Sequence, residues 1–171
     1  MNVQSAVQLQ LNFWHPVLDG MVSECDSEVL GKDLPGATVT SIGSVYAHIV
    51  LSEDSIISGM CQSKPTVYET GGWKGKLNVP FEGSPALSPD WAKGLKLDLA
   101  PFREYAKAVY GATDAYLAAL PDAELERKVQ TPIGEQTIGW VLVALLATHL
   151  PQHSGEIAAL KGVQGLKGLP F

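Results

Sequence analysis

Residues 138–162 read IGWVLVALLATHLPQHSGEIAALKG, and the fold turns on how this run is taken. It opens as apolar as anything in the chain and then carries His149, His153 and Glu156 without an intervening break. Ile138, Leu142, Leu145, His149, His153, Glu156 and Leu160 recur at steps of three and four, the spacing of one helix face. A helix from about residue 135 to about residue 161 is therefore expected, with imidazoles continuing the apolar stripe. Pro151 stands between the histidines, lacks an N–H and crowds the carbonyl of Ala147, so a kink or local widening is expected there. Such a distortion has two outcomes: it spoils the histidine geometry, or it opens a turn to a substrate.

Histidines four residues apart on a helix are neighbours that can face one ion. His48 offers a third donor beside Val45 and Ile49 on the buried side of another helix, and bundles build metal sites from facing helices in this way. Three histidines with one position open is the pattern of a catalytic zinc site, whereas a closed structural site fills all four positions. The competing reading is a set of hydrogen-bonded core histidines. Glu156 has three open roles: fourth ligand, carboxylate partner of a ligating imidazole, or solvated charge, with the partner role the expectation. The chain contains neither the HExxH of zinc peptidases nor the Glu-x-x-His of di-iron bundles. His15, followed by Pro16, is assigned no role beyond surface or packing.

Three further stretches show helical periodicity. Leu11, Trp14, Leu18, Met21, Cys25 and Val29 line a first helix that Pro16 either starts or kinks, and GKDLPGA at 31–37 ends it. A second follows a cap at Thr40 or Ser41, with Ile42, Val45, Ile49, Ile56 and Met60 as its stripe. A third spans about residues 101–120, with Pro101 at its first position and Phe102, Tyr105, Val109, Tyr116 and Leu120 along one side. Residues 62–100 differ in kind. Pro65, Pro80, Pro85 and Pro89, with Gly71, Gly72, Gly75, Gly83 and Gly94, forbid a long helix, and KLNVPF is at most a short strand. A loop this long is uncommon in a compact domain and is usually functional or poorly ordered. Trp73, Trp91 and Lys64, Lys74, Lys76, Lys93 and Lys96 are candidates to cover the mouth of the site, the lysines serving an anionic substrate or as plain solvated charge. The expected architecture is all-α: a four-helix bundle with a long irregular connection between helices 2 and 3, an all-α array of other geometry being the competitor.

At 171 residues the chain is most economically a single domain, 1–171. A formal charge of −6 argues against nucleic-acid and anionic-membrane partners, which want basic patches. The apolar run at 138–147 is too short to span a bilayer. Cys25 and Cys61 are too few for a disulfide scaffold and read as small buried residues. No secretory leader is evident in MNVQSAVQLQLNFW, so a cytoplasmic protein is the default.

Taken together, SIGSVYAHIVLSED with His48 and TPIGEQTIGWVLVALLATHLPQHSGEIAALKG with the HxxxH pair resemble the DinB-like (DinB/YfiT) superfamily of metal-dependent proteins. The order and spacing of elements match from the first helix to about Gly162. The resemblance implies a four-helix bundle holding a divalent metal, zinc or nickel, on His48, His149 and His153. It also implies a homodimer, and activity on a low-molecular-weight thiol as a thiol-dependent transferase or isomerase. The expectation is thus a metal-dependent enzyme of small-molecule substrates. The alternative is a non-catalytic bundle that binds metal structurally or dimerises.

Overall fold

The computed structural model describes residues 1–36, 38, 40–81, 89–92 and 94–171. Gly83, Pro85 and Lys93 of the sequence reading lie outside them. Helix α1, Val3–Ser23, starts where the Asn2 side chain accepts the Ser5 N–H. It continues through Pro16, which neither starts nor ends it, and buries Val7, Leu11, His15, Leu18 and Met21 along one face. A short α2, Ser27–Gly31, follows under an Asp26 cap. Helix α3, Ile42–Asp54, begins at Ser41, whose hydroxyl accepts the Ser44 N–H. Every residue of α3 except His48 is buried, which makes α3 the central element. The chain continues from α3 into a π-helical segment, Ser55–Cys61.

The long connection contains local structure of its own. Helix α4, Val67–Thr70, carries a reciprocal Thr66–Glu69 capping box, a 3₁₀ turn spans Trp73–Gly75, and α5 covers Pro89–Ala92. KLNVPF forms no strand. Helix α6, Leu99–Ala119, starts two residues before Pro101, not at it. The fourth periodic stretch also needs correcting at its start. Residues Lys128–Thr131 (β1) and Gly134–Thr137 (β2) pair as an antiparallel hairpin, Lys128 opposite Thr137 and Thr131 opposite Gly134. Gly134, at φ 108°, takes a turn conformation that a side chain would strain. The fold is therefore mainly helical but not all-α. TPIGEQT is one arm and the turn of a hairpin, and helix begins only at Ile138, where Thr137 caps Trp140. From there α7 (Ile138–Trp140), a π segment (Val141–Ala147) and α8 (Thr148–Gly162) run as one continuous rod.

Side-chain ties set the helix directions. Arg103 pairs with Asp19, Gln8 donates to Asp114 and Gln4 to the Leu120 carbonyl, so α1 and α6 are antiparallel. Gln10 donates to the Ala147 carbonyl, and buried Lys161 donates to the Met21 carbonyl near the end of α1, so α1 and α8 run the same way. That ammonium also lies 3.0 Å from Glu24, a cation placed where the α1 dipole favours one. Helix α3 opposes α1, with His15 against Glu53, and it packs on both α8 and α6. The core these elements enclose includes Leu11, Leu18, Tyr46, Ile49, Phe102, Val109, Leu142 and Ile157.

Candidate metal centre

The π segment changes which face of the last helix is buried. Because a π turn holds more residues than an α turn, side chains beyond it are displaced around the axis relative to a uniform 3.6 period. The buried line is Leu142, Leu146, Leu150, Ser154, Ile157 and Lys161. Leu145, His149, His153 and Glu156 lie half-buried along its flank. The histidines thus border the core, where the uniform helical period puts them inside it, and they are reachable from outside.

Pro151 does not break the rod. The carbonyl of Ala147, which Pro151 cannot serve, accepts the Gln10 side-chain amide at 2.6 Å. Thr148 donates its hydroxyl to the Ala144 carbonyl. Two carbonyls of the distorted turn thus have side-chain partners.

His48, His149 and His153 come together across the α3–α8 contact, with one nitrogen of each within 4.8 Å of the others. The Nε2 atoms of His48 and His149 are 2.9 Å apart, and the three rings meet at centroid distances of 4.8, 4.9 and 4.5 Å. His153 donates Nδ1–H to Glu156 Oε2 at 2.8 Å. An ionised carboxylate only accepts, so in the neutral ring this bond keeps the proton on Nδ1 and leaves the lone pair on Nε2. The Nδ1 of His48 lies 3.5 Å from the Ser52 hydroxyl one turn on. Burial pushes the His149 pKa down to about 3, and the neighbouring His48 and His153 act in the same direction.

This donor set fits a divalent transition metal. It offers nitrogen lone pairs from two facing helices, His149 held neutral, His153 oriented by a carboxylate. A cluster this tight is of the size that an ion with nitrogen bonds of about 2.0–2.1 Å draws together. Among the described residues it is also the metal-capable group of histidine, cysteine or carboxylate side chains. The two cysteines are elsewhere. Cys25 and Cys61 are buried, and burial pushes the Cys61 thiol up to about 11, so neither is a ready nucleophile.

The depressed His149 pKa carries a stability consequence in the metal-free protein. The folded value lies below the ordinary 6.5, so the folded chain binds fewer protons than the unfolded one between these limits. The contribution is complete above about pH 6.5 and is lost as pH falls towards about 3. Thermal midpoints measured downward from neutrality are expected to drop more steeply for the parent than for His149→Gln. Parallel slopes would contradict this account.

Sequence reasoning missed a second polar cluster on the opposite side of α3. His15 is buried, its Nε2 is 3.0 Å from Glu53, and its ring stacks on Tyr110 at 3.6 Å. Thr113 donates to the other Glu53 oxygen. Asp54 accepts from Ser58, from the Val67 and Tyr68 N–H groups and from the Tyr105 hydroxyl. Burial, followed by the Asp54 charge, holds the Tyr105 phenol well above its ordinary pKa, so it stays a donor. The adjacent acids in LSED were the available signal, since carboxylates inside an apolar helix need partners.

The chain matches the DinB superfamily over residues 14–157 and belongs to it. Its fold is shared by a conserved protein of Enterococcus faecalis, at a TM-score of 0.78 and 16% identity, over 94% of this chain and 95% of that one. A DinB-like protein of Bacillus subtilis superposes at 0.62 and 19% identity, over 97% and 96%. A histidine-to-alanine variant of a mycothiol-dependent maleylpyruvate isomerase superposes at 0.57 and 13% identity, over 92% of this chain and 60% of that one. No curated protein matches the chain. No helix among the described residues is long and apolar enough to cross a membrane.

Proposed function

We propose that this chain is a single-domain four-helix bundle and a metal-dependent enzyme acting on a low-molecular-weight thiol, as a transferase or isomerase. The observation that carries the reading is the convergence of His48, His149 and His153 at the edge of the core, with His149 held neutral. These three residues would hold the ion, zinc or nickel by their all-nitrogen donor set. When bound, the ion supplies a Lewis acid that lowers the pKa of a thiol or hydroxyl brought to it. Glu156 keeps the His153 proton on Nδ1 and fixes that ring's orientation. The thiol belongs to the substrate side, because both cysteines of the chain are buried. Likeness of fold to a mycothiol-dependent isomerase supports that substrate class.

The long connection is tied to the helix that carries His48: Ser44, one turn before it, donates to the Ala92 carbonyl. A homodimer remains part of this reading. Protein purified without a metal-affinity tag is expected to carry stoichiometric zinc or nickel by elemental analysis, and to turn over at least one of a panel of small thiols with an electrophilic co-substrate. Metal-free protein that gains no thermal stability from either ion would overturn the proposal. Metal-bound protein inert towards every thiol would instead favour a non-catalytic bundle.

A further inference from the structure

We infer that Gln10 is a positioning residue for the metal centre, acting through the turn that Pro151 leaves incomplete; the inference rests on the metal-binding reading above. In an α-helix the Ala147 carbonyl would accept the N–H of residue 151. Pro151 has none, and its ring crowds that same carbonyl. With that N–H missing, the carbonyl is open to a partner from outside the helix, and Gln10 of α1 supplies one with a 2.6 Å bond. This is a tie between separate elements, 137 residues apart in sequence, anchored two residues before His149. Its position matters more than its strength. The turn it closes joins the π segment, which sets the rotation of everything downstream, to the first residues of α8, which carry both histidines.

Other ties fix the far end of the same helix, where Lys161 is held by the Met21 carbonyl. Between that anchor and the hairpin, Gln10 bonds α1 to the backbone of the histidine-bearing rod. Its amide donates to a backbone carbonyl. Its effect is to hold the separation and rotation of His149 and His153 relative to His48, the geometry a metal site reads within tenths of an ångström. Proline at 151 and glutamine at 10 are then a functional pair: the first opens the turn, the second closes it from outside.

The pairing is tested by a double-mutant cycle of Gln10→Ala and Pro151→Ala, with cobalt(II) as the probe. Affinity comes from competition with a chelator, ligand geometry from the visible cobalt spectrum, and stability from urea denaturation without metal. In the parent background Gln10→Ala is expected to weaken cobalt binding about tenfold, the lower end of what lost support costs a metal site, and to alter the spectrum. The Pro151→Ala background restores an N–H that can serve the Ala147 carbonyl, and there Gln10→Ala is expected to change neither. An equal effect of Gln10→Ala in both backgrounds, or none in the parent, overturns the inference. If the parent itself binds no cobalt, the metal-binding reading fails. The cycle in urea still reports whether the two side chains are coupled through the carbonyl, and additivity there overturns the coupling as well.

Discussion

Replacing His149 by alanine is expected to reduce zinc affinity by about 100-fold or more, the loss of one of three donors. Burial holds His149 neutral, and its Nε2 lies 2.9 Å from that of His48 across the helix contact. Two imidazoles on separate helices remain in the variant, a weaker grip without preorganised orientation. The effect on the fold should be small, because the side chain lies on the flank of the buried line rather than in it. The readout follows from linkage: an ion that binds only the folded state at 100 times its dissociation constant stabilises by about 2.7 kcal/mol. Zinc should therefore raise the parent's thermal midpoint and leave that of His149→Ala nearly unmoved. A variant that keeps the full zinc-dependent shift would remove His149 from the site.

The second large effect lies away from the metal. Asp54→Ala is expected to cost about 3–5 kcal/mol, the range for deleting one side of a buried charged network. Asp54 is 1% exposed and gathers Ser58, the first two N–H groups of α4 and the Tyr105 hydroxyl. Its removal strands those donors in the interior, each at about 1–3 kcal/mol if nothing replaces the bond. It also removes the two backbone bonds that tie the start of α4 to the end of α3. Measured against a total stability of about 5–15 kcal/mol, such a loss shows in the urea midpoint or leaves the protein unfolded at ordinary temperature. Asp54→Asn should recover part of it through the remaining carbonyl oxygen. A cost below about 1 kcal/mol for the alanine variant would mean the network relaxes around the gap.

Much of the framework was legible because amphipathic helices announce themselves. Leu11, Leu18 and Met21 in α1, Val45 and Ile49 in α3, and Phe102, Tyr105 and Val109 in α6 are buried where their spacing put them. Histidines at i and i+4 must share a face under nearly any helix geometry, so the nearness of His149 to His153 did not depend on details. That His48 meets them depends on the α3–α8 contact, which periodicity alone does not specify. What stayed hidden has definite physical causes. The 3.6 period assumes α turns, and the π segment at Val141–Ala147 moved the core line from Leu145 to Leu146 and set the histidines at its border. The hairpin strands have four residues each, too few to show an alternating pattern above background. The role of His15 depends on Glu53, and a pair 38 residues apart on different helices leaves no local signature. Gln10 was invisible for the same reason, although Pro151 did advertise that a carbonyl would need help.

The π segment has a consequence for comparing this chain with its relatives. In a regular helix one residue corresponds to about 100° of rotation, so a helix with one residue more or fewer before His149 would aim its imidazoles at another neighbour. Residues 141–147 absorb their extra length within the turn itself, upstream of the histidines. Relatives with an ordinary α turn here would align with this chain only if a one-residue gap were opened inside an unbroken helix. Alignment rules that forbid gaps in helices would then shift the apolar half against the histidine half. The pair of histidines, not the hydrophobic run before it, is the sounder anchor for placing distant members of the superfamily on one another.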